Sequence, residues 1–282
     1  MANMKEIKNR IKSVSSTMQI TKAMELVASS KLRHAKERAI QSAPYFETLY
    51  ATMSDIVASN RDFSSTFMQM REVKNSLVIV IAGDRGLAGG YNTNVLKSAT
   101  SKMADKNARV ITIGKKSTDF FSKSDVEIVS SHDNFAENVD LIAVNEIISN
   151  VTDLYKKGEI DEVYVAYTQF VSPLIQTPSL IRVLPVEGLE AEPVKSNSLT
   201  EYDPSPEVVF DLIIPKYISG ILYGAIIESY ASEQAARRVA MESASDNASD
   251  MIDDLSLLYN RARQGAITQE ISEIVAGSGS QN

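Results

Sequence analysis

The sequence predicts a mixed α/β fold: a central Rossmann-like α/β domain with one antiparallel edge, plus a long antiparallel coiled coil. The N- and C-terminal helices would form this coiled coil as a protruding shaft. Three observations carry the prediction. Residues 4–42 contain neither Pro nor Gly, residues 76–187 alternate strand-like with helix-like segments, and residues 216–276 contain no Pro. Helices of this length cannot be buried against a domain of roughly 110 residues, whose diameter is nearer 30 Å. We therefore expect them to pair with each other.

The boundaries of the predicted segments follow from composition. They are an N-terminal coiled-coil helix (1–59), a linker (60–75), the α/β domain (76–187), a second linker (188–206), the C-terminal coiled-coil helix (207–276) and a disordered tail (277–282). Ser205 is a candidate N-cap, with Pro206 at the first helical position. Pro44 and Pro215 are expected to bend, end or begin the helices beside them.

The N-terminal helix carries one stripe with alternating three- and four-residue spacing, which is typical of a helix seated on another helix. Glu25 is the polar break in this stripe. Its other members are Ile7, Ile11, Val14, Met18, Thr21, Ala28, Leu32, Ala35 and Ala39. A second ridge of Ile20, Met24, Val27 and Lys31 indicates contact on more than one side. The many basic residues here form either a solvated face or a surface for an acidic partner.

The C-terminal helix has a stripe of the same kind, which we expect to face the first helix. The stripe consists of Met241, Ala244, Ala248, Met251, Leu255, Leu258 and Ala262. After Gly265 the apolar residues become Ile267, Ile271, Ile274 and Val275. Chain termini usually fray and are polar. An apolar terminal helix therefore indicates that something outside this polypeptide receives it.

Five strand-like segments are predicted between the two helices, with a helix after each of the first three. The strands span 76–83, 108–114, 126–131, 161–172 and 179–187, and the helices span 94–106, 117–123 and 134–157. The gap between the last two strands is short enough for a hairpin, which predicts the antiparallel edge.

Composition excludes several classes of function. The net charge of −7 argues against general affinity for nucleic acid phosphates. The chain has no Cys, so disulfides, iron–sulfur clusters and thiol chemistry are excluded, and His34 and His132 are its only imidazoles. The longest apolar runs fall short of the about 20 residues that a membrane span needs. Neither a secretory signal nor a transit peptide is evident, which predicts a cytosol-like compartment.

The Gly-rich stretch GDRGLAGGYN (83–92) lies between a predicted strand and a predicted helix, a position that suits phosphate binding by backbone N–H groups. It lacks both the dinucleotide-binding and the P-loop spacing. The alternative is a tight structural turn with Asp84 and Arg85 as a local ion pair. The acidic cluster Asp246, Asp250, Asp253 and Asp254 is interpreted as a solvated face, not a metal site.

Four segments resemble the γ subunit of bacterial F-type ATP synthases. They are ITKAMELVASSKLRHAKERA (20–39), GDRGLAGGYN (83–92), ASEQAARRVAMESASDNA (231–248) and LLYNRARQGAITQEISEIVAGS (257–278). The similarity follows the same order along the whole chain. Ala88 stands where many members have Cys, Gly265 and Ser278 replace more usual Ala residues, and Pro215 is unusual within its helix.

The resemblance implies a central rotor shaft that turns inside a ring of alternating α and β subunits. It would couple ion flow through the c-ring to ATP synthesis or hydrolysis, with the ε subunit as a further partner. The chain itself would carry no catalytic residues and bind no cofactor or metal, while ATP, ADP and Mg²⁺ would bind the partner subunits. The location implied is peripheral, on the cytoplasmic side of the bacterial plasma membrane.

The resemblance also assigns contact residues. Arg263 and Gln264 match residues that catch a polar loop of a β subunit, and Met24 matches a position near an acidic loop of a β subunit. Further positions for contact and coupling are Arg237, Thr268, Glu270 and Glu273. Ile267, Ile271 and Ile274 suit a hydrophobic bearing, and Tyr202 matches the foot near ε and the c-ring. Two other functions stay open at this point: a nucleotide-binding α/β protein and a coiled-coil scaffold.

Overall fold

A computed structural model describes residues 4–59, 65–103, 107–187 and 202–279. Its elements in chain order are α1 (Met4–Ser59), β1 (Asn75–Ile81), α2 (Tyr91–Met103), β2 (Asn107–Ile113), α3 (Lys115–Phe121), β3 (Glu127–His132), α4 (Leu141–Lys156), β4 (Glu162–Phe170), β5 (Gln176–Leu184) and α5 (Pro206–Gly279). The chain forms two compact units. The helical unit contains residues 1–28 and 237–282, and the sheet unit contains residues 29–236.

The two units divide inside the long helices, whereas the sequence analysis placed its boundaries at the helix ends. Leu32 and Met53 of α1 are buried in the core of the sheet unit, as are Ile214 and Ile218 of α5. The apolar stripe of an amphipathic helix has the same period whether it packs on a helix or on a sheet. For that reason the stripe did not reveal where α1 passes from one unit to the other.

The sheet has the strand order β3-β2-β1-β4-β5. The pairs β1–β2, β1–β4 and β2–β3 are parallel, and β4–β5 is antiparallel. The predicted antiparallel edge is therefore confirmed. Helix α4 begins at Leu141, later than the predicted Asn134, because Asp140 is its N-cap and accepts a hydrogen bond from the Ile142 N–H at 3.3 Å.

Both faces of the sheet are covered, and β1 shows the alternation clearly. Leu77, Ile79 and Ile81 point into a core shared with α1, α4 and α5. Val78 and Val80 point into the second core, which α2 and α3 complete. Successive side chains of a strand face opposite sides, so an uninterrupted apolar run is what a strand buried on both faces requires.

Helix α5 also completes the backbone hydrogen bonding of β4, beyond the point where β1 ends. Ser229 Oγ accepts from the Thr168 N–H at 3.0 Å, and Ser232 Oγ donates to the Thr168 carbonyl at 3.1 Å. Glu228 Oε1 accepts from the Phe170 N–H at 3.0 Å. Burial raises the pKa of Glu228, and the Phe170 N–H opposes that shift.

The prolines in the long helices behave differently from one another. Pro206 begins α5 as predicted, with Ser205 Oγ accepting from the Val208 N–H at 3.4 Å. Pro44 and Pro215 lie within continuous helices, so Pro44 does not end α1 and Pro215 does not begin α5. An interior Pro costs about 3 kcal/mol. Residues before and after each proline are buried in the core of the sheet unit, Ala35 and Met53 for Pro44 and Ile214 and Ile218 for Pro215, and this packing favours a continuous helix.

The predicted first linker is in part a packed segment. Phe67 is fully buried, and its ring stacks on that of Tyr155 with a centroid separation of 6.0 Å. The Phe67 carbonyl accepts from the Val186 N–H at 2.8 Å. Helix α5 continues through Gly279, so the predicted disordered tail is wrong at residues 277–279. The described residues do not include 60–64 of this linker, 188–201 of the second linker or 280–282 of the predicted tail.

In the helical unit, α1 and α5 pack together through side chains that include Thr21 and Ser245, whose hydroxyl oxygens are 2.7 Å apart. The pairing is antiparallel. Within the sheet unit the ring contacts between the same two helices run in opposite order along the chain: Phe46 lies 6.0 Å from Tyr223, and Tyr50 lies 6.1 Å from Tyr217, measured between centroids. The predicted stripe of α1 is confirmed at Ile7, Thr21 and Ala28, which are buried, whereas Ala39 is exposed.

The predicted stripe of α5 is wrong at Met251 and Leu258. Ser245 is buried and Ile252 and Tyr259 are half-buried, whereas Met251 is 44% exposed and Leu258 50% exposed. The observed stripe is a continuous heptad pattern: Met241, Ser245, Ala248, Ile252, Leu255, Tyr259, Ala262 and Ala266. Both phases have alternating three- and four-residue spacing from Met241, so spacing alone did not distinguish them.

Candidate partner-contact surfaces

The C-terminal end of α5 presents an apolar face to solvent. Ile267 is 47% exposed, Ile271 57% and Ile274 71%, and their four- and three-residue spacing places them on one side of the helix. In the antiparallel pairing anchored at Thr21 and Ser245, the first described residue of α1, Met4, lies level with Ala262. The described part of α1 therefore ends before this face begins. We call Ile267, Ile271 and Ile274 the tip face.

Polar residues surround the tip face, and those predicted for partner contact are exposed: Arg263, Gln264, Thr268, Glu270 and Glu273. Two of them have partners on α5 itself. The Thr268 hydroxyl donates to the Gln264 carbonyl at 2.9 Å, and the Gln269 amide donates to Glu273 Oε1 at 2.9 Å. The structure thus brings five of the predicted contact residues together with the tip face on one exposed segment.

Arg237 and Met24 are not part of this group. Arg237 precedes Arg263 by 26 residues on the same helix and is only 8% exposed. Met24 is half-buried on α1. Arg237 is therefore held mainly by contacts within this chain, in contrast to the exposed residues around the tip face.

Tyr202, the predicted foot residue, lies in the sheet unit just before α5. It is half-buried and packs against the core that contains Phe210 and Ile214. Burial raises the pKa of Tyr202, and the nearby Asp55 carboxylate adds to this shift. The Tyr202 ring is thus anchored in the core, while part of its surface remains accessible.

The helical unit also exposes apolar residues outside the tip face, including Ile20 and Val27 of the second ridge predicted on α1. Met251, Leu257 and Leu258 of α5 are exposed as well. Two of these residues had been assigned to the coiled-coil interface. The signal that could have found them is the alternative heptad through Ser245, Ile252 and Tyr259, which leaves Met251 and Leu258 outside.

In the Gly-rich loop, side chains of this protein occupy the space around the Gly83 N–H. The Gly83 N–H donates to Asn92 Oδ1 at 2.8 Å, and a Cβ on Gly83 would come within 2.8 Å of the buried Glu233 carboxylate. The described contacts of Asp84 are hydrogen bonds with backbone N–H groups, whereas an ion pair with Arg85 had been predicted. Its Oδ1 accepts from the N–H groups of Lys115 and Asn134, at 2.9 and 2.7 Å. These contacts tie together the loops after β1, β2 and β3.

Within residues 4–59, 65–103, 107–187 and 202–279, no group of three or more His, Asp or Glu side chains is placed to hold a metal ion.

The helix segment Pro206–Val275 is long and apolar enough to cross a membrane by length and composition, and half of its most apolar stretch is buried in the protein. The sequence prediction considered only uninterrupted apolar runs, and this segment contains polar residues between its apolar ones. Its buried Ile214, Ile218 and Leu222 show that a core helix has the same composition.

Comparison with known proteins gives a match along almost the whole chain. The sequence model of the ATP synthase family matches residues 3–280. A curated relative from Ruminococcus albus, the ATP synthase gamma chain, is 53% identical over 283 residues, which cover 99% of this chain and 98% of the relative. The chain belongs to the ATP synthase gamma chain family. Gamma chains form the central rotor shaft of F-type ATP synthases, so the resemblance in the sequence and the function that it implied are confirmed.

Other gamma chains extend the comparison. The sodium ion specific gamma chain of Acetobacterium woodii is 44% identical over 295 residues, covering 98% of each chain. Among solved structures, a chain of the Euglena gracilis mitochondrial ATP synthase OSCP/F1/c-ring assembly has a TM-score of 0.69 at 17% identity, covering 99% of this chain and 94% of that chain. A chain of the Tetrahymena thermophila central stalk/c-ring structure has a TM-score of 0.63 at 23% identity, covering 80% and 99%. These two likenesses confirm the predicted gamma-chain fold.

Proposed function

We propose that this gamma chain transmits torque through the tip face and the exposed polar residues around it, inside a ring of three α and three β subunits. The observation that carries the proposal is the exposure of Ile267, Ile271 and Ile274 at the end of α5. Fully burying a side chain of this type is worth about 1.5–3 kcal/mol. A partner that encloses the tip face would gain this energy at the axis, where contact can persist during rotation.

The polar residues suit contacts that form and break in each turn. Arg263, Gln264 and Glu270 are exposed. Exposed ion pairs contribute only about 0–1 kcal/mol, so such contacts can change partners without trapping the rotor. One asymmetric shaft faces three β subunits differently, and the nucleotide affinities of those subunits then differ. This coupling is reciprocal: nucleotide turnover drives rotation, and forced rotation drives synthesis.

The sheet unit would provide the foot that meets the ε subunit and the c-ring, with Tyr202 near this contact. The half-buried position of Tyr202 supports the assignment, because its ring is fixed by the core and still reaches the surface. The bacterial relatives support a peripheral location on the cytoplasmic side of the plasma membrane.

The chain would bind no nucleotide or other cofactor and carry no catalytic residues of its own. The Gly83–Asn92 hydrogen bond supports this, because it uses a backbone N–H that a phosphate would need. The Glu233 carboxylate beside Gly83 would also repel a phosphate. ATP, ADP and Mg²⁺ would bind the partner subunits, where the chemistry takes place.

The test replaces the tip face in the full chain, co-expressed with its own α and β subunits. The triple variant Ile267→Ser, Ile271→Ser, Ile274→Ser removes the apolar surface without touching a core. We expect the α and β subunits still to assemble with the chain, and ATP-driven rotation of a bead on the shaft to lose torque. The matched control is Ile142→Ser with Leu212→Ser, two exposed apolar residues of the sheet unit, which should leave torque unchanged.

Each result has a definite meaning. Lost torque in the triple variant with normal torque in the control supports the proposal. Unchanged torque in both variants rejects a bearing at the tip face. Assembly with a different protein, and none with α and β subunits, would reject the rotor and favour a coiled-coil scaffold.

A further inference from the structure

The core of the helical unit contains a polar layer. Thr21 of α1 and Ser245 of α5 are both buried, and their hydroxyl oxygens lie 2.7 Å apart. Each hydroxyl also reaches a carbonyl on its own helix: Thr21 Oγ1 lies 3.0 Å from the Met18 carbonyl oxygen, and Ser245 Oγ lies 2.9 Å from that of Met241. Both residues occupy heptad positions that apolar side chains would normally fill.

The number of hydroxyl protons limits which of these hydrogen bonds can form at the same time. A hydroxyl has one proton to donate, so the two hydroxyls can make only two of the three contacts at a time. When Thr21 donates to Ser245, Ser245 donates to the Met241 carbonyl. When Ser245 donates to Thr21, Thr21 donates to the Met18 carbonyl. The bond between the helices is kept in both arrangements, and neither arrangement leaves a buried donor unused.

The layers on either side do little to select one alignment of the helices. Pairing Thr21 with Ser245 sets Met18 opposite Ala248 and Glu25 opposite Met241. Met is flexible and fills irregular gaps, so it tolerates different neighbours. Ala occupies little volume, and the Glu25 carboxylate has its ion-pair partner, Lys22, on its own helix at 2.9 Å.

Toward the N-terminus of α1 the layers are apolar: Val14 with Ile252, Ile11 with Leu255, and Ile7 with Tyr259. A slip of one heptad that sets Val14 opposite Tyr259 would again bring apolar side chains against apolar side chains in these layers. At the polar layer the same slip has a different result. It would set Thr21 opposite Ile252 and Ser245 opposite Ala28, so the bond between the two hydroxyls would be lost.

We propose that the Thr21–Ser245 hydroxyl pair fixes the register of α1 against α5 in the helical unit. A single polar pair at a heptad position is a known way to specify the register of a coiled coil. The inference rests on the contacts of the helical unit alone and does not depend on the proposed function. The pair therefore adds to the resistance against sliding of the two helices that contacts such as Phe46 with Gly220 also provide.

The test uses disulfide cross-linking, for which the absence of native Cys makes the full chain well suited. The pair Val14→Cys with Ile252→Cys reports the native register. The pairs Val14→Cys with Tyr259→Cys and Ile11→Cys with Ala248→Cys report slips of one heptad in the two directions. Such a slip moves a helix by about 10 Å, and Cys residues more than about 7 Å apart at Cα do not bridge.

Each reporter pair is placed in the parent chain and in the variant Thr21→Val with Ser245→Ala, which removes both hydroxyls at similar volume. We expect the native cross-link to predominate in the parent chain, with a small slipped fraction that sets the baseline ratio. In the variant, the ratio of slipped to native cross-link should rise roughly fivefold, the factor that corresponds to one ordinary hydrogen bond. The matched control, Thr17→Val with Ser249→Ala, makes the same chemical change at exposed positions and should behave as the parent.

A rescue variant keeps the proposal testable if the double substitution reduces helix content. Thr21→Ser with Ser245→Thr exchanges the two hydroxyl side chains and should restore the parent pattern. An unchanged cross-linking ratio in the hydroxyl-free variant overturns the proposal. A slipped pattern in the exchanged variant also overturns it, because both hydroxyls are still present there.

Discussion

The ring of Phe46 in α1 lies directly against Gly220 in α5. A Cβ on residue 220 would come within 2.1 Å of the Phe46 Cδ1 atom. The same ring lies 6.0 Å from that of Tyr223, measured between centroids. The glycine therefore allows two segments of the sheet unit to approach more closely than any side chain would permit.

This contact predicts the effect of adding one methyl group. Gly220→Ala should lower the free energy of unfolding by about 1–3 kcal/mol, the usual cost of overpacking. Thermal unfolding measures the change. Gly224→Ala, one turn later on α5, is the control, because a Cβ there meets nothing within 4 Å. It should raise stability by about 0.5–1 kcal/mol, and a similar loss in both variants would contradict the packing argument.

Glu228 predicts a dependence of stability on pH. Burial raises the pKa of Glu228 in the folded chain, so the folded state holds the proton more tightly than the unfolded state does. The contribution of this group to stability is therefore greatest at low pH and falls as the pH rises above the usual glutamate value of about 4.3.

Glu228→Gln should remove this dependence. The amide oxygen can still accept from the Phe170 N–H, and no charge is buried. Unfolding measured across this pH range should show a variant that gains stability relative to the parent as the pH rises. The exposed Glu146→Gln on α4 is the control. A parent–variant difference that does not change with pH would contradict the assignment.

Met24→Lys tests the half-buried face of α1 that the resemblance places near an acidic loop of a β subunit. In the assembled complex, ATP hydrolysis should largely persist while ion pumping falls, because the added charge binds one position of the rotor too strongly. Both activities are measured in membrane vesicles. Equal loss of hydrolysis and pumping would count against this role for Met24.

Arg263→Ala combined with Gln264→Ala tests the polar contacts beside the tip face. Both side chains are exposed, and the Thr268 hydroxyl uses the backbone carbonyl of Gln264, which the substitution retains. The free energy of unfolding should change by less than about 0.5 kcal/mol, whereas ATP turnover by the complex should slow. A large fall in melting temperature would instead show that the two side chains are structural.

Calorimetry tests the closed Gly-rich loop. The isolated full chain should give no binding heat with ATP, NAD or FAD, because Asn92 and Glu233 occupy the surroundings of the Gly83 N–H. Saturable binding that Asn92→Ala strengthened would favour the nucleotide-binding alternative.

The sequence was most informative where one physical requirement dominated. The apolar run of β1 had to be buried on both faces, and Ser205 with Pro206 had to begin a helix. It was least informative where two phases of one helix were both plausible. Met251 and Ile252 both fit the three- and four-residue spacing of this helix, and only their burial shows that Ile252 belongs to the observed phase. The burial of Arg237 likewise depends on contacts that spacing does not reveal.

The heptad of α5, from Met241 to Ala266, advances 3.5 residues per turn, slightly less than the 3.6 of a straight helix. Two helices paired through such a repeat wind around each other with a left-handed twist. Torque in one sense tightens this winding, and torque in the opposite sense loosens it. The torsional stiffness of the paired helices should therefore differ between clockwise and anticlockwise torque.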